Sequence, residues 1–317
     1  MKKKSKQPAA DQAAHPKTET ARPTLKAALP TLEAGLPRTL GNWELLRLLG
    51  EGPLARVYQA RALNGPSPEA RYAVKVLRDE FADDPNMVNL LRREATVGRT
   101  VSHPHLIPVL SAQVHERPMF IVMPRLIGLT LAERIATRRP ISVSQALWIA
   151  RQTAQALDAL HTAGWLHGDI KPSNVFLSPD GHVTLLDLGF AQPINDGGCP
   201  LTRPLLGTLH YMAPESLIST SRTDARSEVY SLGVMLFEML AGRLPFPAKE
   251  TSELIEQHLL RPASDLRVRN HNLRTAVASL VWKMLAKNTL RRPQSAKDLI
   301  RQLMPLEIDE LPQRIPA

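Results

Sequence analysis

The sequence predicts an α+β fold, in which strand patterns with one main helix pattern among them give way to a mainly helical remainder. Three observations carry this expectation. Apolar runs of strand length occupy 43–49, 72–77 and 120–123, early in the chain. One amphipathic helix pattern, starting near Asp84, lies between the second and third of these runs. Beyond residue 141 helical periodicity dominates, interrupted by a single hairpin pattern at 175–186. Strands gathered ahead of helices indicate α+β rather than alternating α/β architecture.

At 317 residues with 43% apolar content, the chain can bury the core of one two-lobed domain or of two small ones. It holds no uncharged apolar run of about 18 residues, so no membrane span is expected. Lys2, Lys3, Lys4 and Lys6 open the chain, but no apolar segment follows them, which argues against a secretory signal. A single cysteine, Cys199, excludes an internal disulfide framework and fits a reducing, cytoplasmic location. The formal charge of +10 is concentrated: residues 1–40 hold eight Lys/Arg and three Asp/Glu, a surplus of five. With aromatics at 4%, the mildly basic remainder argues against nucleic acid as a partner.

Residues 1–40 are rich in Lys, Ala, Thr and Pro, and prolines at 8, 16, 23, 30 and 37 interrupt any helix. They read as a disordered basic arm, first of all a solvated linker, with the charge to touch an acidic partner or membrane surface. Strand 43–49 then enters Gly50-Glu51-Gly52-Pro53-Leu54-Ala55-Arg56-Val57, a glycine-bearing turn. In Tyr72-Ala73-Val74-Lys75-Val76-Leu77, Lys75 sits among apolar neighbours and needs a counter-charge or a phosphate. In the helix after Asp84, the stripe Met87, Leu90, Leu91 and Val97 includes Glu94 at helical spacing. A carboxylate on a buried face wants a cation, and Lys75 is the candidate; the alternative is a surface pairing with Arg92 or Arg93. The histidines of His103-Pro104-His105 read as turn residues, since no Cys or acid lies at ligand spacing. Ser142-Val143-Ser144-Gln145 is a capping-box pattern, followed by a long helix with Leu147, Ala150, Ala154 and Leu157 on one face.

The centre of the chain is the stretch 165–190. Asp169 and Asp187 bracket Asn174, and each lies near a backbone-bending residue: Gly168, Pro172 or Gly189. Two apolar runs, 175–177 and 183–186, flank the turn Pro179-Asp180-Gly181. Such a hairpin brings Asn174 and Asp187 together at one end. Oxygen ligands there, with a third acid nearby, suit a hard cation such as Mg2+, which combines few carboxylates with phosphate oxygens.

His167-Gly168-Asp169-Ile170-Lys171-Pro172-Ser173-Asn174, followed by Asp187-Leu188-Gly189, resembles the HRDxxxxN and DFG motifs of protein kinases. The 50–57 turn resembles the kinase glycine-rich loop, Ala73-Val74-Lys75 the V-A-I-K strand, and Gly207-Thr208-Leu209-His210-Tyr211-Met212-Ala213-Pro214-Glu215 the GTxxYxAPE segment. The elements occur in family order from Thr39 to about Met304. The resemblance is to bacterial-type (Hanks-type) serine/threonine protein kinases. It implies a two-lobed α+β, protein-kinase-like fold: a small antiparallel β lobe with one main helix as the N-lobe at 41–123, a larger, mainly helical C-lobe at 124–304 and a C-terminal tail at 305–317.

The resemblance also implies roles. ATP and Mg2+ are the expected cofactors, and protein Ser/Thr hydroxyls the acceptors. Asp169 would orient the acceptor hydroxyl and take its proton; Lys171 would neutralise the γ-phosphate and marks Ser/Thr rather than Tyr specificity. Lys75, fixed by Glu94, would hold the α/β-phosphates, while Asn174 and Asp187 hold the metal. Gly50, Gly52 and Ala55 would lie over the phosphates. Val57, Ala73, Met123, Leu126 and Phe176 would line the adenine slot. Met123 is the gatekeeper, and the hinge would offer the Pro124 carbonyl and the Leu126 N–H. Glu215 would be buried against Arg292, and residues 193–208 would form an activation loop with hydroxyls at Thr202 and Thr208. Bacterial receptor kinases of this type often add a membrane span and sensor after the kinase domain; sensing is expected here to come from elsewhere.

Four departures matter. Ala55 replaces the third glycine of the loop, and Pro53 removes an N–H donor there. Gly168 replaces the arginine that receives an activation-loop phosphate, so weak dependence on loop phosphorylation is expected. Glu228 stands where helix F has an aspartate bracing the catalytic loop. Leu188 replaces the Phe of DFG. Two alternatives stay open: a pseudokinase scaffold, suggested by the degenerate loop and Glu228, and a small-molecule phosphotransferase of the aminoglycoside or choline type, suggested by Gly168.

Overall fold

The computed structural model describes residues 38–65, 69–194, 209–218, 223–268 and 273–310. The expected basic arm up to residue 37 lies outside the described residues, as do Cys199, Thr202, Gly207 and Thr208.

Six antiparallel strands form the first lobe in the order β1-β2-β3-β4-β6-β5. They are β1 (Thr39–Leu40), β2 (Trp43–Glu51), β3 (Ala55–Ala62), β4 (Tyr72–Leu77), β5 (Ser111–Gln113) and β6 (Phe120–Pro124). The first strand therefore lies inside the span expected to be an arm. Leu40 is 2% exposed and packs with Leu45, Tyr58, Ala60 and Val74, which is the physical reason for the earlier start. The register pairs Val57 with Lys75 and Ala73 with Met123. Because side chains alternate along a strand and paired residues share a face, Ala55, Val57, Ala73, Lys75 and Met123 all lie on one side of the sheet.

Helix α1 (Pro85–Thr100) crosses that side, with the Asp84 side chain accepting from the Asn86 N–H as its N-cap. Its buried face is Val88, Leu91, Glu94, Ala95, Val97 and Gly98. The expected stripe is thus rotated slightly: Met87 and Leu90 are only half-buried, and Val88 takes the inner position. Glu94 stays on the buried side.

The second lobe begins with β7 (Leu129–Thr130) and the short α2 (Leu131–Ala136), whose Thr130/Glu133 capping box is complete. Next come α3 (Val143–Thr162), β8 (Trp165–Leu166), β9 (Val175–Leu177), β10 (Val183–Leu185) and β11 (Gln192–Pro193). The Ser142/Gln145 capping box forms, and Leu147, Ala150, Ala154 and Leu157 are fully buried. Four more helices precede the last: α4 (Pro214–Ile218), α5 (Ala225–Ala241), α6 (Thr251–Leu260) and α7 (Thr275–Met284). Helix α8 (Ala296–Asp309) runs through Pro305, so the expected tail starts within a helix. Arg151 on α3 holds that end with Nε 2.5 Å from Glu307 Oε2. Helix α5 is apolar nearly all round, as a helix buried in a core must be, and it anchors the lobe.

Two fastenings join the lobes behind the cleft. Leu106 bridges Leu185 of β10, with Ile107 N–H donating to Leu185 O (3.0 Å) and Leu185 N–H to His105 O (2.8 Å). In addition, Gly189 lies against Leu90 of α1.

Candidate active site

Lys75 projects from β4 toward α1, and its ammonium is the hub of the cleft. Nζ donates to Glu94 Oε2 at 2.6 Å and to Asp187 Oδ1 at 3.1 Å. Burial works against the ammonium, but the Asp187 and Glu94 carboxylates together hold its pKa above the ordinary lysine value. Burial pushes the Glu94 carboxyl up to about 7, against the pull of Lys75. At Asp187 burial also opposes the charge, yet the Lys75 ammonium outweighs it and keeps the carboxyl below its ordinary range. The alternative surface pairing of Glu94 does not occur.

The β9–β10 hairpin brings the second group together. Leu186 N–H donates to Asn174 O at 2.8 Å, which sets Asn174 and Asp187 at the same end. Helix α3 grips the other end: Trp148 Nε1 and Gln152 Nε2 both donate to Gly181 O, and Gln152 Oε1 accepts from Val183 N–H. Asp187 itself is left-handed (φ 61°), with its carboxylate accepting from Gly189 N–H.

Asp169 is 2% exposed. Its Oδ2 takes Lys171 Nζ (2.7 Å) and Asn174 Nδ2 (2.9 Å), while Oδ1, although buried, has no hydrogen-bond partner among the described residues. His167 ties the two motifs: Nδ1 accepts from Asp169 N–H, and Nε2 reaches Leu186 O at 2.9 Å.

Gly168, at φ 81°, donates its N–H to Glu228 Oε1 at 2.6 Å, and Glu228 Oε2 accepts from His161 Nε2, also at 2.6 Å. The longer side chain thus reaches the loop that carries Asp169 from α5. Sequence reasoning missed the role of His161; its place in the last turn of α3 was legible, but its partner was not.

Of the residues expected around adenine, Met123 and Leu126 share one buried cluster, while Val57 and Ala73 lie on the same sheet face. Phe176 belongs to β9 in the other lobe, beside Gly128. That glycine is required. At φ +143°, a Cβ there would sit 2.0 Å from Leu177 O and 3.0 Å from the Phe176 ring. Gly50 pairs with Val57 at the end of β2, and Gly52 N–H closes the turn onto Ala55 O at 2.9 Å. Pro124 ends β6, opposite Tyr72.

Below the cleft, Glu215 and Arg292 form the expected pair. Nη1 and Nη2 reach the carboxylate at 2.6 and 2.9 Å, and the arginine also donates to the carbonyls of Ala286, Arg226 and Lys287.

A β lobe and a helical lobe closing on a half-buried lysine and distant acids define the architecture of a protein kinase domain. Comparison with known families matches residues 43–304 to the protein kinase domain. The chain is 32% identical over 276 residues to a probable serine/threonine-protein kinase of Clostridium perfringens, covering 86% of this chain and 39% of that protein. It is 33% identical over 277 residues to the serine/threonine-protein kinase PknB of Mycobacterium tuberculosis, covering 86% and 44%. For the serine/threonine-protein kinase PrkC of Bacillus subtilis the identity is 29% over 262 residues, covering 83% and 40%. The chain belongs to the protein kinase domain family. It spans about two fifths of the length of these relatives. Among the described residues no helix is long and apolar enough to cross a membrane.

Proposed function

We propose that the chain transfers the γ-phosphate of ATP to Ser/Thr hydroxyls of proteins, with Mg2+ as cofactor. The observation that carries this is the Lys75 ammonium shared between Glu94 of α1 and Asp187 of the second lobe. A cation held between two carboxylates at a cleft is ready to take phosphate oxygens.

The donor set fits Mg2+. Asp187 offers carboxylate oxygens and Asn174 an amide oxygen, and among the described residues no three His, Cys, Asp or Glu side chains form a metal cage. A site completed by phosphate oxygens and water needs none. When bound, the ion would neutralise charge between the β- and γ-phosphates.

Each side chain then has a task. Lys75 anchors the α/β-phosphates and Glu94 holds Lys75. The face bearing Val57, Ala73 and Met123, with Leu126 and Phe176, receives adenine, and the turn of Gly50, Gly52 and Ala55 covers the phosphates. Among the described residues Asp169 Oδ1 has no partner, which makes it the atom available to an acceptor hydroxyl. A buried acceptor left unmade costs about 1–3 kcal/mol, which binding of that hydroxyl recovers. Lys171, held on Oδ2, lies where charge moves onto the γ-phosphate. The names of the relatives, all serine/threonine-protein kinases, support the acceptor class. The Glu215–Arg292 platform supports a peptide acceptor over a small molecule.

Incubation with Mg-ATP, alone, with a generic basic protein and with an aminoglycoside, tests this by radiolabel or mass shift. Phosphoserine or phosphothreonine on protein, and none on the aminoglycoside, is the expected result. Asp169→Asn should keep nucleotide binding and lose about 10²–10⁴-fold in turnover. Undiminished transfer by that variant, or binding without any transfer by the native chain, refutes the proposal.

A further inference from the structure

Helix α1 presses on the segment behind it at a point where its own side chain is missing. Gly98, one turn after Glu94 on the buried face, would place a Cβ 2.6 Å from Val109 Cγ2, 3.2 Å from Val109 Cβ and 3.3 Å from Val109 N. The backbones are joined there as well, Val109 N–H donating to Gly98 O at 2.9 Å. Val109 has nowhere to retreat: it is 5% exposed, in one cluster with Leu91, Ala95, Ile107, Ile121 and Met123. Glycine inside a helix weakens it relative to alanine, so its presence here suits the close approach and not the helix.

We propose that Gly98 is a positioning residue for Glu94: its missing side chain sets how deeply α1 seats, and thereby whether Glu94 reaches Lys75. The inference rests on the phosphotransfer role assigned above. An added methyl needs about 0.8 Å more room to reach ordinary contact at 3.4 Å. With Val109 fixed in the core, the helix must supply it. The Lys75–Glu94 bond is 2.6 Å long, so a displacement of that size stretches it out of charge-assisted range. Leu90 O, 3.3 Å from where a Cβ on Gly189 would lie, moves on the same helix and transmits the shift toward Asp187.

The test is a set of variants of the full chain, read by kcat, KM for ATP, the melting shift caused by Mg-ATP and the melting temperature without nucleotide. Gly98→Ala is expected to lower kcat/KM on the order of 10- to 100-fold, as a displacement approaching 1 Å does at a catalytic group. In a Glu94→Gln background the same change should add little, because the bond it disturbs is already lost. Gly98→Ala with Val109→Ala should recover both activity and the Mg-ATP shift, since the second change vacates the space. A purely structural role predicts the same fractional loss in both backgrounds, and that outcome overturns the inference. So does an unchanged kcat/KM in an active native chain. A native chain that neither transfers phosphate nor shifts with Mg-ATP fails at the earlier step and sinks both proposals together; one that shifts without transferring decides Gly98 by the binding readout alone.

Discussion

Replacing Glu228 by alanine asks how far the loop carrying Asp169 depends on α5. The carboxylate is 5% exposed and accepts from Gly168 N–H and His161 Nε2, each at 2.6 Å. Its removal deprives two half-buried donors of this acceptor. At about 1–3 kcal/mol for each orphaned group, the loss is roughly 2–6 kcal/mol, a large part of a stability of about 5–15 kcal/mol. Turnover should suffer as well, because Gly168 directly precedes Asp169, and a slip of about 1 Å there costs on the order of 100-fold. Lys75, Glu94 and Asp187 are untouched, so KM for ATP should move little. Glu228→Gln separates charge from geometry: its carbonyl can accept from Gly168 and its amide can donate to His161 in the other tautomer. That variant should lose only about 1 kcal/mol, the difference between charged and neutral hydrogen bonds. The pH dependence has a definite sign. Burial opposes the Glu228 charge, but His161, His167 and the Gly168 N–H hold its carboxyl below the ordinary 4.5. The stability it confers is complete above that value and is lost as pH falls through the lowered one. Glu228→Gln should lack this acid limb. Steady-state kinetics and melting curves decide the matter. Native kcat in Glu228→Ala, or equal damage from Ala and Gln, would refute the bracing role.

Three further outcomes are expected. Arg292→Ala takes the guanidinium from the Glu215 carboxylate, which keeps the Ser227 hydroxyl at 2.7 Å, and leaves a fully buried vacancy; at about 3–5 kcal/mol, and roughly 2 °C per kcal/mol for a domain of this size, melting should fall by about 6–10 °C, and a near-native melting temperature would count against it. Gly128→Ala should weaken the β7–β9 pairing and displace Phe176, lowering the melting temperature and raising KM for ATP; an unchanged KM would remove Phe176 from the adenine slot. Phosphatase treatment should leave activity nearly intact, because Gly168 offers no guanidinium to a loop phosphate; a large drop would show that another cation receives it.

What the sequence made legible was local chemistry with a strong pattern. Lys75 stood out as a charge in an apolar strand, Glu94 as an acid on an apolar stripe, and Ser142/Gln145 as a helix start, and each is where its pattern put it. Less legible were features decided by tertiary contact. The stripe on α1 turned toward Val88 because the sheet, not the helix, chooses the buried face. Leu40 joined the β core although a proline-rich segment precedes it. His161 sits in a run, Ala159-Leu160-His161-Thr162, with nothing to mark its partner 67 residues later. Thr130-Leu131-Ala132-Glu133 did carry a capping box, and so α2 was readable from sequence by the same rule that found α3.

Gly168 and Glu228 are best understood as a pair. The peptide at 168 takes φ 81°, a conformation that costs a non-glycine residue energy and glycine almost none. A glycine relieves strain but frees the backbone, so the loop needs an external hold to keep Asp169 in one place. Glu228 supplies that hold from the most deeply buried helix of the fold, at a bond length typical of charge assistance. The arginine usual at 168 would offer a second hold, through a phosphate on the activation loop. With glycine there, restraint of the backbone at Asp169 rests on α5 and His167, while Lys171 and Asn174 hold its carboxylate. The order of sensitivity follows: changes at Glu228 should damage turnover more than changes to the phosphorylation state of the loop. A chain in which that order is reversed would place control of Asp169 in the loop and leave Glu228 as core packing.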